Sequence, residues 1–181
     1  MRITISGTPG SGKSSIAQFL AEKLGLKRYY IGQIFRDLAR RKGVTTQELS
    51  ELGKTDPSID KEVDDHQLRL KDEDDWIIEG RPSFHLLPDS IKVFIKVDPK
   101  VGAERIFGDS KDRNEGRYPD IETCKRETAN RLLADQERYK KYYGIDVFDQ
   151  DNYDIVIDTT NLSIEESKEE TLQAIRNFTT K

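Results

Sequence analysis

Five short segments rich in β-branched and aromatic residues recur along the chain, at residues 2–6, 28–32, 75–80, 91–97 and 153–159. Each is brief and bounded by turn-forming or charged residues, which predicts strands. Between them the apolar positions change period. Ile16, Phe19, Leu20 and Leu24 recur at three- and four-residue steps, as do Ile31, Ile34, Phe35, Leu38 and Ala39, the spacing of amphipathic helices. Gly25 and Gly43 supply the stops. Ser163 followed by Glu166 predicts a capped last helix running through Leu172 and Ile175. Strands alternating with helices predict an α/β fold whose parallel sheet is covered on both faces, because parallel neighbours need crossover connections.

Two regions break the alternation. From about residue 33 to residue 75 two or three helical patterns follow one another without a strand, broken at Asp56-Pro57, which predicts a helical insertion on one side of the sheet. Residues 108–120, "GDSKDRNEGRYPD", lack apolar periodicity and are rich in turn formers, which predicts a mobile flap. No internal repeat or low-complexity linker occurs, and "KDEDD" at 71–75 reads as a solvated loop.

Directly after the first strand stand Gly7, Thr8, Pro9, Gly10, Ser11, Gly12, Lys13 and Ser14, a match to G-x-x-x-x-G-K-[ST] with a strand before it and an amphipathic helix after it. In that setting the glycines let successive backbone N–H groups converge on phosphate oxygens, and the helix start adds the positive end of its dipole. Lys13 is expected to reach the β and γ oxygens of a nucleoside triphosphate and the Ser14 hydroxyl to hold Mg²⁺, with Ser15 beside them. What becomes of the γ-phosphate is a separate question. Neither an Asp-x-x-Gly switch nor an Asn-Lys-x-Asp base reader is present, which excludes a GTPase, and motor or clamp ATPases usually carry more chain. A small kinase remains, and a kinase of small molecules needs a second set of cations for its acceptor.

Three segments offer them. Arg36 follows the second strand, off the apolar stripe of its helix. Arg81 emerges at the carboxyl end of "WIIEGR", the edge at which open α/β sheets bind ligands. Arg131, Asp135 and Arg138 are spaced i, i+4, i+7, hence on one helical face.

Length and charge narrow the context. A chain of 181 residues suits one domain, and a net charge of -4 with 35% charged residues argues against non-specific nucleic-acid binding. The single cysteine, Cys124, excludes an internal disulfide or a cysteine metal cluster and fits a reducing compartment. No apolar run approaches the roughly 20 residues of a membrane helix, and residues 1–6 read straight into a strand, so no leader is expected. His66 and His85 are expected to be structural, and Trp76, Tyr142 and Tyr143 to be packing residues.

Together these motifs resemble the nucleoside monophosphate kinases, and among them the short archaeal cytidylate kinases. The shared pattern is a phosphate loop, Gly32-Gln33-Ile34-Phe35-Arg36, Glu79-Gly80-Arg81, an arginine-bearing flap, and Arg131/Asp135/Arg138, with "DPSID" at 56–60 and "YGID" at 143–146 also similar. The resemblance implies a phosphate-loop fold with a five-stranded parallel sheet in the order 2-3-1-4-5. It also implies an acceptor-binding insertion at 33–75, a lid at 108–120, and ATP-dependent phosphorylation of CMP or dCMP with Mg²⁺. It implies that Arg36, Arg81 and Arg131 clamp the acceptor phosphate, Arg131 also touching the transferring group, while Asp135 accepts from ribose hydroxyls and Arg138 reaches the base. Arg105 would pack on the ATP base, beside the loop bearing Asn161, and Glu79 would orient Mg²⁺ through water. Adenylate kinases place a further arginine where Asp109 stands, a role that Arg113 or Arg117 of the lid is expected to fill. The expected partners are two small molecules, ATP and a pyrimidine monophosphate, bound by a cytoplasmic monomer that engages neither nucleic acid nor membrane. Another small-molecule kinase, of adenylate or shikimate type, and a non-catalytic ATP-binding regulator stay as alternatives.

Overall fold

Ile3 and Ile5 of the first strand point to one face of a sheet and Thr4 and Ser6 to the other, and all four are buried. In this computed structural model, which describes residues 1–109 and 118–180, the strands are β1 (Arg2–Gly7), β2 (Lys27–Tyr30), β3 (Trp76–Glu79), β4 (Ile91–Lys96) and β5 (Ile155–Asp158). Every ladder is parallel and the order is β2-β3-β1-β4-β5, the order implied by the resemblance. The expected strand at 28–32 ends at Tyr30, because Ile31 already belongs to the following helix. That at 153–159 begins at Ile155, since Tyr153 turns inward and its hydroxyl donates to the Val147 carbonyl at 2.7 Å.

The helices are α1 (Lys13–Leu24), α2 (Ile31–Lys42), α3 (Thr46–Gly53), α4 (Ser58–Leu68), α5 (Ser83–Leu86), α6 (Pro99–Gly108), α7 (Ile121–Tyr143) and α8 (Ile164–Thr179). α1 and α8 cover one face of the sheet, where Ile16, Ala17, Leu20, Leu172 and Ile175 meet Ile3, Ile5, Ile77, Val93 and Ile95. On the other face Trp76 and Ile78 lie under Leu38, Leu49, Ile59 and Val63 of α2, α3 and α4. A third cluster, Phe84, Phe94, Tyr139, Val147 and Tyr153, anchors α7 against β4. Burial on both faces is what parallel strands require.

The caps follow the sequence cues. Gly25 and Gly43 end α1 and α2 in the left-handed region. Ser163 and Glu166 form a reciprocal capping box at α8, and Thr45 with Glu48 forms another at α3. The short α5 and a 3₁₀ turn at Gln150–Asn152 carry too few residues to leave a periodic trace. Cys124 is fully buried on α7, with its thiol toward the Ala103 carbonyl.

Candidate active site

The carboxyl ends of β1 and β3 are neighbours in the sheet, so the loops that follow them open side by side. After β1 the chain turns through residues 8–12 into α1. Thr8 fixes the turn to β4: its N–H donates to the Ile95 carbonyl at 3.0 Å, and its hydroxyl accepts from Val97 N–H at 3.0 Å. Gly10 has φ 76° and lies against α6 so closely that a Cβ there would come within 2.2 Å of the Gly102 carbonyl oxygen. Only glycine meets both demands.

After β3, Gly80 is packed as tightly, since a Cβ would come within 2.2 Å of the Ser83 hydroxyl. Glu79, just before it, is 1% exposed. Its Oε1 accepts from the Ser14 hydroxyl, joining the strand to the end of the phosphate loop. Its Oε2 accepts from Arg28 Nη2 at 2.8 Å. Ser14 and Glu79 thus present two adjacent oxygens, which suits a hard divalent cation of the Mg²⁺ kind, a type that takes one or two protein oxygens and keeps several waters. Among the described residues no three His, Cys, Asp or Glu gather into a metal cluster.

Lys13, Ser14, Glu79, Arg36, Arg81, Arg131, Asp135 and Arg138 all line one cleft with a cavity of about 320 Å³. Arg36 stacks on the Tyr30 ring, 4.7 Å from its centroid, and donates to Gln33. Arg81 and Asp135 form an ion pair at 2.5 Å, with both side chains largely buried. Arg138 is 2% exposed and bridges two acids, Asp135 at 3.0 Å and Asp60 at 3.1 Å. Ser50 completes the network, donating to Asp135 at 3.0 Å and accepting from Arg138 at 2.6 Å. Asp135 and Arg138, the i+4 and i+7 positions of that α7 face, are therefore the centre of a buried charge network, in contrast to an exposed stripe of ion pairs.

Electrostatics follow from that arrangement. Burial alone would raise the Asp135 carboxyl, but Arg81 and then Arg138 and Arg131 hold it below the ordinary range. Asp60 has less compensation: burial pushes it up to about 6 against the pull of Arg138, and Asp64 and Asp135 add to the rise. Burial also raises Asp64, which accepts from the Tyr143 hydroxyl.

Two expected donor-site residues stand apart from this cleft lining. Arg105 donates to the carbonyls of Thr159 at 2.8 Å and Leu162 at 3.2 Å, so it ties α6 to the loop that carries the exposed Asn161. Arg113 and Arg117 lie outside the described residues, as does most of the expected flap. Sequence reasoning passed over Arg28, Ser50 and Asp64, and met Asp60 only as the last residue of "DPSID", with no role given to it. For Asp60, Asp64 and Gln67 a signal existed: they repeat at i, i+4, i+7 beside the apolar Ile59 and Val63, on the α4 face that lines the cleft. Arg28 and Ser50 carried none.

A phosphate loop at the head of a five-stranded parallel sheet, facing an arginine-lined cleft, defines a phosphate-loop kinase. The model of the cytidylate kinase-like family matches residues 2–161, and the chain belongs to that family. The cytidylate kinase of Methanopyrus kandleri is 36% identical over 176 residues, spanning 91% of this chain and 88% of that relative. That of Archaeoglobus fulgidus is 37% identical over 177 residues, spanning 97% and 94%. Among solved structures, the shikimate kinase from Acinetobacter baumannii in complex with shikimate superposes with a TM-score of 0.62 at 17% identity, covering 100% of this chain and 96% of that one. At that identity the likeness bears on the fold alone.

Proposed function

We propose that this protein transfers the γ-phosphoryl group of ATP to CMP or dCMP, giving ADP and CDP or dCDP, as a single kinase domain over residues 1–181. The observation that carries the reading is the convergence of Arg36, Arg81 and Arg131 on the cleft that Lys13 and Ser14 also line. Guanidinium forks bind phosphate in a bidentate manner, and an in-line transfer between two polyanions needs cations on both. The kinship with cytidylate kinases supports a pyrimidine acceptor.

In this mechanism the phosphate loop, from Gly7 through Ser14 with Ser15 beside it, cradles the ATP phosphates. Lys13 neutralises charge on the transferring group. Mg²⁺ bound at Ser14 and, through water, at Glu79 would offset the charge that builds between the β and γ oxygens. Residues 33–75 receive the acceptor. Arg36 and Arg81 hold its phosphate, and Arg131 spans the two phosphates. Asp135 orients Arg81 through their ion pair and offers its remaining acceptor capacity to a ribose hydroxyl; Arg138, backed by Asp60, reaches the base. Arg105 and Asn161 border the ATP base. The flap at 108–120 supplies Arg113 or Arg117 to the γ-phosphate and excludes water, without which hydrolysis would compete. No general base of unusual strength is required, because phosphoryl transfer depends mainly on alignment and charge neutralisation.

The reading includes a monomer working in the cytoplasm; none of the described helices is long and apolar enough to cross a membrane. The decisive assay is ATP consumption with Mg²⁺ against CMP, dCMP, UMP, AMP, GMP and shikimate. Stimulation by CMP or dCMP above the others is expected, and no stimulation by any pyrimidine monophosphate would sink the proposal.

A further inference from the structure

Arg28 belongs to the edge strand β2 and to none of the motifs that mark the cleft, yet its guanidinium ends on the carboxylate beside the phosphate loop. Its Nη2 donates to Glu79 Oε2 at 2.8 Å, and its Nη1 donates to Gln18 Oε1 on α1 at 2.9 Å. The direction is set by the ladder. Arg28 lies opposite Ile77, and Glu79 is two residues further along β3, so both side chains leave the same face of the pleat, beneath α1. The group also rests 5.3 Å from the centroid of the Tyr30 ring. Three contacts therefore fix a guanidinium that an edge strand would ordinarily send into solvent.

Glu79 has two oxygens, and this arrangement gives them separate duties. One is held by Arg28; the other meets the Ser14 hydroxyl. The last torsion of a glutamate is soft, with broad and roughly two-fold preferences, so a carboxylate held at neither end can turn at little cost. Arg28 removes that freedom. Through Gln18 it also grips α1, the helix whose first turn bears Lys13 and Ser14. A single guanidinium thus ties both sides of the oxygen pair, Glu79 directly and Ser14 by way of its helix.

We propose that Arg28 is a positioning residue for phosphoryl transfer, holding Glu79 so that its Oε1 and the Ser14 hydroxyl form a fixed oxygen pair at which the Mg²⁺ of Mg·ATP and its waters are received. The inference rests on the ATP-dependent reading above, but its test does not depend on which acceptor is used. Lysine is an incomplete replacement, because a point charge lacks the planar fork that spans Glu79 and Gln18 together.

The experiment compares the wild-type protein with Arg28→Met and Arg28→Lys. Thermal melting reports folding. Electron paramagnetic resonance titration reads Mn²⁺ binding in the presence of a non-hydrolysable ATP analogue, and calorimetry reads binding of the analogue without metal and of CMP alone. Partners behind direct metal ligands typically set affinity by about 10- to 100-fold, and Glu79 acts through water, so Arg28→Met should bind Mn²⁺ weaker by about tenfold, the low end of that range, while metal-free analogue and CMP binding stay within about twofold. Arg28→Lys should fall between. In turnover, the Mg²⁺ concentration for half-maximal rate should rise while the KM for the acceptor holds. Wild-type Mn²⁺ affinity in a folded Arg28→Met protein overturns the proposal, as does equal weakening of metal, metal-free analogue and CMP binding. If Arg28→Met fails to fold, Arg28→Lys decides: Mn²⁺ affinity equal to wild type overturns the proposal. Absence of pyrimidine-stimulated ATP consumption in the wild type would instead refute the acceptor assignment and leave the metal-binding comparison to judge Arg28.

Discussion

The two halves of the cleft are made of different material. The half proposed to face ATP is one contiguous stretch of backbone: residues 7–14, tied to β4 through Thr8 and seated on α6 through Gly10. The half proposed to face the acceptor is assembled from side chains far apart in sequence, Ser50 on α3, Asp60 on α4, Arg81 after β3, and Asp135 and Arg138 on α7. A backbone cradle asks only that each side chain permit the turn. A buried network of charges asks that every member be present, because removing one partner leaves another charge uncompensated. The acceptor half should therefore be the half where function and stability fail together.

The strongest test of that contrast is Arg138→Met. It leaves Asp135 and Asp60 short of their shared cation and should destabilise the fold by about 3–5 kcal/mol, read as a lower urea midpoint. A variant that unfolds like wild type would erase the distinction. Next is Arg81→Ala, which should lower kcat/KM for the acceptor by about 100-fold, the scale of losing one charge-stabilising donor, with little change in ATP binding. Equal loss of ATP affinity would move Arg81 to the other half.

A third test uses pH. The Asp60 carboxyl is pushed up to about 6 from an ordinary 3.8. Its stabilising contribution is thus whole below about pH 4 and lost as pH rises through about 6. Asp60→Asn removes that loss, so between pH 4 and 7 the stability difference should move in the variant's favour by about 2–3 kcal/mol, measured by urea unfolding at each pH. A flat difference would mean that Arg138 compensates Asp60 fully. The smallest effect compares two capping boxes. Thr45→Ala and Ser163→Ala should each cost about 1 kcal/mol of stability. Only Thr45→Ala should also raise the acceptor KM, since α3 carries Ser50 into the network while α8 supports the sheet.

The same contrast governs what could be read from the chain alone. The phosphate loop was legible because its requirements are local: a strand, a helix start, and glycines where the backbone must turn. The order of the strands came through resemblance, and their ends shifted by a residue or two where Ile31 and Tyr153 joined neighbouring structure. Arg36 and Arg81 were legible as single charges and Arg131, Asp135 and Arg138 as one helical face, but the buried network of Arg81, Asp135 and Arg138 was not, because periodicity on α7 does not reveal that Ser50 and Asp60 close over it. Arg28 left no trace, since on an edge strand a basic residue is the ordinary choice. Its inward course depends on where α1 lies, which is a tertiary fact.

Gly102 of α6 lies under the phosphate loop, where a Cβ would come within 2.6 Å of the Pro9 carbonyl oxygen. Position 102 touches no predicted ligand and belongs to none of the motifs, yet it sets the floor on which the loop rests. In a mutational scan it should score with the nucleotide-binding residues, and a catalogue of tolerated substitutions built from ligand contacts alone would miss it.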